Sequence, residues 1–390
     1  MSESLRVLVV GGGIGGLALS GALSRAGAAV DLVEKSERWR PLGAGLVLGA
    51  NAVAVLGALG LGDGLAACGH RLPRMSILEA SGSMLQNMDM AAAEAEIGPT
   101  YTVHRADLHH LLLEHIGATR VRLGTTVSAV EDGPAEARAR FTDGSEGTYD
   151  LIMGCDGLRS VVRELAFPQH KAEVSYAGYT CWRTVMPNVS GQEGAFEMWG
   201  SGLRVGLVPL RSGQLYVFMT ENTAAHGTDP EDGRHAWVAD KFKAFAGPAR
   251  PVMEALAASP QLVLMRHDIE DLSAQIWRGQ RVGLLGDAGH ATTPNLGQGA
   301  GMALEDALAL TQALRHQPDP ASALIAYERT RAARVERIVR TSRQLGAVAQ
   351  WSNPVAVALH NLAMRLVPDA VSARGLRAMV EPGLALARAS

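Results

Sequence analysis

The stretch Leu5-Arg-Val-Leu-Val-Val10-Gly11-Gly-Gly13-Ile-Gly15-Gly16-Leu-Ala-Leu-Ser20 decides the fold. An apolar run ends in glycines, and an alanine- and leucine-rich helical pattern follows at once. Gly11, Gly13 and Gly16 keep the G-x-G-x-x-G spacing. The first allows a tight turn, the second lets backbone approach a pyrophosphate, and the third lets helix and strand pack closely. The free N–H groups of the helix start then face the phosphates. A second strand, Ala29-Val-Asp-Leu-Val-Glu34, places a carboxylate 18 residues after Gly16, where it can accept hydrogen bonds from a ribose. The pattern predicts an α/β fold with a dinucleotide site. It does not say which dinucleotide.

The length of 390 residues suits two domains or one with an inserted lobe, and the 47% apolar content can fill their cores. A net charge of −3 gives no basic field for nucleic acid. Cys68, Cys155 and Cys181 are odd in number, far apart and outside any C-x-x-C or metal pattern, so free thiols in a reducing compartment are expected. The first strand starts so early that a signal peptide has no room. The most apolar stretch, Leu345 to Met364, is interrupted by Gln350, Ser352, Asn353, Pro354, His360 and Asn361, which argues against a membrane span. A cytoplasmic protein is expected.

Two more strand ends repeat the theme. Thr148-Tyr-Asp-Leu-Ile-Met runs into Gly154-Cys155-Asp156-Gly157-Leu158-Arg159-Ser160 and a helix. Arg281-Val-Gly-Leu-Leu-Gly286-Asp287 runs through His290, Pro294, Asn295, Gly297, Gln298, Gly299 and Gly301 into the helix of Glu305-Asp306. Gly43-Ala-Gly45 reads as a loop whose backbone lies against a flat ligand. Arg105 stands at a helix start near 104–116, free to clamp a phosphate or to pair with Asp107. Residues 174–222 change character: they alternate and carry aromatics, as an antiparallel sheet does. Within them, Leu203–Pro209 and Gln214–Met219 form a hairpin turning at Arg211-Ser-Gly213, with Arg204 and Tyr216 on one face. Arginines at 329, 331, 334, 337 and 340 of the C-terminal helical pattern read as a solvated face.

Three distant corners of one kind imply one long ligand threaded across the molecule, and flavin adenine dinucleotide has that shape. With these motifs the chain resembles the single-component FAD-dependent aromatic hydroxylases of the p-hydroxybenzoate hydroxylase type, over about residues 4–345. Arg204, Tyr216 and Tyr176-Ala-Gly178-Tyr179 are similar to the urate hydroxylase branch, near which the salicylate hydroxylases also stand, whereas Thr180-Cys181-Trp182-Arg183 departs from it. The resemblance implies a Rossmann-like FAD domain built from 1–75, 100–175 and 265–345. It also implies an inserted antiparallel substrate domain from 76–99 and 176–264, and a helical segment over 346–390.

It further implies FAD contacts at Gly11, Gly13, Gly15, Gly16, Glu34, Lys35, Gly45, Arg105, Val127, Asp156, Gly157, Asp287, Pro294, Gly297, Gly299, Ala300, Gly301 and Met302. Glu34 would hold the adenosine ribose, Arg105 the ribose or pyrophosphate, and Asp287 the ribityl chain or pyrophosphate. The Pro294–Gly301 loop would lie along the flavin ring. No second fingerprint is present, so NADH or NADPH would bind only transiently. The reductant would reduce the flavin, O2 would add at C4a, and one oxygen would pass to an electron-rich aromatic or heteroaromatic substrate, expected to be anionic. Arg204 would hold a carboxylate or ring oxyanion, Tyr216 would orient or help deprotonate the ring, and His290 would be a candidate general base. A homodimer fits the same pattern. Rival readings are an epoxidase, desaturase or reductase on this fold, or a non-catalytic FAD-binding protein. A halogenase is disfavoured by the lack of a W-x-W-x-I-P segment.

Overall fold

The computed structural model describes residues 5–39, 44–170 and 172–390. At its centre is the five-stranded parallel sheet that the opening stretch predicts. Its order is Val282–Leu284, Leu151–Gly154, Arg6–Val10, Ala29–Glu34, Arg120–Leu123. Arg6–Val10 lies in the middle, and its Val7, Leu8, Val9 and Val10 are buried on both faces. That explains an unbroken apolar run where an alternating strand would show only one apolar face. Helix Ile14–Arg25 packs on one face beside Gly299–His316, and an antiparallel meander, Val127–Asp132, Ala137–Phe141 and Glu146–Tyr149, covers the other.

The second sheet has seven strands in the order Met265–Leu272, Val174–Pro187, Gln214–Asn222, Leu203–Leu210, Ala195–Trp199, Arg74–Glu79, Met84–Asp89. It is antiparallel apart from the 195–199/74–79 pair. Strand Met265–Leu272 belongs to it, so the sheet runs past the boundary expected at 264. One face is closed by helices Arg234–Lys241 and Ala249–Ala257, with Trp182, Val205, Val217, Phe242 and Leu256 in the interface. Gly247-Pro248 stands directly before the second of these helices. The opposite face turns towards the parallel sheet. The hairpin turns at Ser212 and Gly213, both with positive φ.

The 30-residue helix Pro320–Ala349 corrects one expectation. Arg329, Arg337 and Arg340 are exposed, but Arg331 and Arg334 are buried. They point inward because Glu305 and Asp306 are fully buried in the neighbouring helix and need counter-charges. Helices Pro354–Arg365 and Asp369–Arg388 follow. The latter packs on Ala50–Ala58 and Gly299–His316, and Val380 and Leu384 are buried there. Among the described residues, no helix is long and apolar enough to cross a membrane.

Candidate active site

The first glycine turn is built by contact. Gly11 has φ +107°, and a Cβ there would lie 2.5 Å from the Cys155 carbonyl oxygen. A Cβ on Gly16 would lie 2.0 Å from the Gly11 carbonyl oxygen, whereas one on Gly13 would meet nothing. The turn is closed underneath and open above. The Gly12 and Ser36 N–H groups each donate to Glu34 at 2.9 Å. Burial works against ionisation of Glu34, but these N–H groups hold its pKa below the ordinary value. The carboxylate stays charged at the strand end, with lone pairs left for a ribose. Lys35 beside it is exposed.

At the second corner, the Asp156 carboxylate turns away from the expected ligand. It accepts hydrogen bonds from the Ser160 hydroxyl and the Val162 N–H, and so holds the start of helix Val161–Ala166. Gly157, with φ +82°, lines the cavity in its place. Arg163 donates to the carbonyls of Leu158 and Ala288, which ties this corner to the third.

The third corner begins at Asp287, which lines the cavity. Burial raises its pKa, while His290 and Arg105 pull it back. His290 is not placed as a general base. It is 2% exposed, lies outside the cavity lining, and its Nε2 is 2.6 Å from Asp306 Oδ2. Asp306 also accepts from Gly286 N–H and Arg331, so the pair holds the loop from behind. Pro294, Gly297, Gly299 and Ala300 line the cavity. Gly301 does not; it sits against Asn51. Met302 and Val127 are buried in the cores on either side of the parallel sheet, so their side chains offer no ligand contact.

The three corners meet the second sheet around a cavity of about 400 Å³. Strand Gly45–Leu48 pairs with Tyr101–His104, which brings Gly45 and Arg105 to one edge. Gly43 lies outside the described residues. Gly45 lines the cavity, but its lack of a side chain also serves packing, because a Cβ there would lie 2.5 Å from Tyr216. Arg105 and Asp287 both line the cavity; burial lowers the Arg105 pKa and Asp287 raises it.

Register fixes the sheet face. Arg204 pairs with Thr220, Gly206 with Phe218, and Val208 with Tyr216; on the other side Cys181 pairs with Thr220 and Arg183 with Phe218. Alternation puts all of these on the inner face. Arg204 and Tyr216 therefore share that face, as expected, but stand at opposite ends with Phe218 between them. Arg204 is already engaged: it donates to Glu197 at 3.0 Å, Gln350 at 2.7 Å and Asn295 at 2.9 Å. Asn295 also accepts from the Tyr179 hydroxyl at 3.0 Å. Burial raises the Tyr216 pKa against the pull of Arg183, so its hydroxyl is a donor at neutral pH and not a base. Sequence reasoning missed Arg183, Glu197 and Gln350. Only the i, i+2 spacing of Cys181 and Arg183, read against a known register, would have pointed to Arg183.

The open glycine turn, the ionised Glu34, Arg105 and Asp287 on the cavity wall, and the small residues from Pro294 to Ala300 fit a flavin dinucleotide. The chain matches the FAD binding domain family over residues 4–342. It belongs to that family. It is 36% identical over 382 residues to aurachin C monooxygenase/isomerase of Stigmatella aurantiaca, covering 97% of this chain and 98% of the relative. It is 35% identical to 2-heptyl-3-hydroxy-4(1H)-quinolone synthase of Pseudomonas aeruginosa, covering 94% and 95%. The crystal structure of Klebsiella pneumoniae HpxO with FAD and uric acid superposes with a TM-score of 0.89 at 29% identity, covering 97% of each chain. The family expected from the sequence is therefore met, and the chain is an FAD-dependent monooxygenase.

Proposed function

We propose that this monooxygenase hydroxylates a fused heteroaromatic ring that carries a ring oxygen, of the 4(1H)-quinolone type. The carrying observation is the chemistry of the cavity beyond the flavin corners. Leu46, Val47, Val208 and Phe218 make it a mainly apolar slot, and the charge of Arg204 is met by Glu197. A flat, weakly acidic bicycle matches such walls over most of its area. The 35% identity to a quinolone synthase over 94% of this chain supports the same reading.

FAD, when bound, supplies the redox and oxygen chemistry. Glu34 would hold its ribose, and the amides of Gly13 and Gly15 its pyrophosphate together with Arg105. Gly157, Asp287 and the Pro294–Ala300 turn would border the rest. The overall balance is RH + O2 + NAD(P)H + H⁺ → ROH + NAD(P)⁺ + H2O. The chain's own residues position the ring and keep water out: Phe218 and Val208 pack on it, and Tyr216 donates a hydrogen bond. NADH or NADPH would act as a transient reductant, since no second fingerprint holds it.

The test is to supply purified, FAD-loaded protein with 2-heptyl-4(1H)-quinolone. Quinolone-stimulated NAD(P)H oxidation and a product heavier by one oxygen are expected. A quinolone that neither stimulates oxidation nor gains oxygen would defeat the substrate reading.

A further inference from the structure

Three arginines line the cavity: Arg105, Arg183 and Arg204. Arg105 shares the cavity wall with Asp287, and Arg204 is paired with Glu197. Arg183 is different. Its Nε lies 3.4 Å from the Cys181 sulfur, and whereas Asp287 acts on Arg105, no carboxylate is among the main charges acting on Arg183. Among the described residues its terminal nitrogens have no protein partner. It stands on the inner face of the sheet opposite Phe218, with Tyr216 two residues along the adjoining strand. His267 and Arg105 are close enough that Arg183 and Arg105 both make protonation of His267 harder, after burial. The titratable groups around Arg183 are thus Cys181, Tyr179, Tyr216, His267 and Arg105, none of them a carboxylate, and Cys181 does most to favour the charged guanidinium.

Arg183 is half-buried, and a guanidinium facing a cavity with no carboxylate partner leaves its terminal N–H groups to a ligand. We propose that Arg183 is the anion anchor of the reaction: it binds the ionised oxygen of the substrate ring and favours loss of that ring's proton to solvent. The role expected of Arg204 then falls to Arg183. Ionisation makes the ring richer in electrons, which is what oxygen insertion requires, and Tyr216 donates to the same end of the ring. This inference rests on the reading that an oxygen-bearing ring is hydroxylated here.

The test uses a chromophore that reports its own ionisation. FAD-loaded wild type, Arg183→Met and Arg183→Lys are titrated with 4-nitrophenol across pH, and the phenolate band is followed by difference absorbance. In the wild type, bound nitrophenol should ionise about one pH unit or more below its value in water. Arg183→Met should abolish that shift while keeping its flavin, and Arg183→Lys should restore part of it. Absence of binding or of a shift in the wild type overturns the proposal. So does a shift that survives in Arg183→Met, or a Met variant that loses its flavin while Arg183→Lys keeps the flavin but gives no shift, since Arg183 would then serve the cofactor. A wild-type shift without turnover of 2-heptyl-4(1H)-quinolone leaves the anchor standing and removes only the quinolone reading.

Discussion

Arg204 is held in the interior by hydrogen bonds to Glu197, Gln350, Asn295 and Thr220. It bolts the second sheet to the end of the long helix and to the loop after Pro294. Replacing it by Gln leaves Glu197 without its partner and should cost about 2 kcal/mol of stability. Denaturant unfolding of Arg204→Gln and of the Arg204→Gln, Glu197→Gln double variant should show the double variant regaining part of the loss. Equal losses would mean that the pair carries no weight. Tyr216 is held protonated by burial. The pH profile of kcat should therefore have the same limbs in wild type and Tyr216→Phe from about pH 6 to about pH 9. A limb that vanishes in the Phe variant would make Tyr216 a base after all.

At the scale of elements, the glycine turn works because helix and strand touch. A methyl group at Gly16 would lie 2.0 Å from the Gly11 carbonyl oxygen, and both are backbone-fixed. Gly16→Ala should thus open the turn and weaken FAD binding at least about tenfold, or about 1.4 kcal/mol. Flavin content after dialysis measures this; full retention would mean the turn can shift without cost. The corners were legible in the sequence because each pairs a buried strand with glycines and an acid at a fixed offset. What those acids do was less legible. Glu34 faces the ligand side of the first turn, but Asp156 caps its own helix, a choice made by Ser160 and Val162. Arg183 stayed hidden for a different reason. Which arginine of the sheet keeps a free charge depends on Glu197 reaching Arg204, and that contact is set by strand order.

Across the whole molecule, one buried network joins the flavin loop to the C-terminal helices. His290 and Arg331 meet Asp306, Arg331 and Arg334 meet Glu305, and Arg334 reaches the Met379 carbonyl. Periodicity alone read these arginines as solvated, because the buried acids they serve lie in another helix. Burial opposes ionisation of Asp306, but His290 and Arg331 hold its pKa down to about 2. Its folded value lies below its unfolded one. The stabilisation is therefore complete above about pH 4 and is lost as pH falls towards 2. For this group alone the loss is roughly 2 kcal/mol. Urea midpoints should be flat near neutrality and drop below about pH 4; midpoints that stay level into acid would contradict the network.

The central claim is oxygen transfer from O2 to a heteroaromatic ring by the FAD-loaded chain. Its most direct test is a single turnover under ¹⁸O2 with 2-heptyl-4(1H)-quinolone and NAD(P)H, with the product read by mass spectrometry. The predicted result is one labelled oxygen in each hydroxylated product, with one NAD(P)H consumed per product. Consumption of NAD(P)H that yields only hydrogen peroxide, or product oxygen that comes from water, would contradict it.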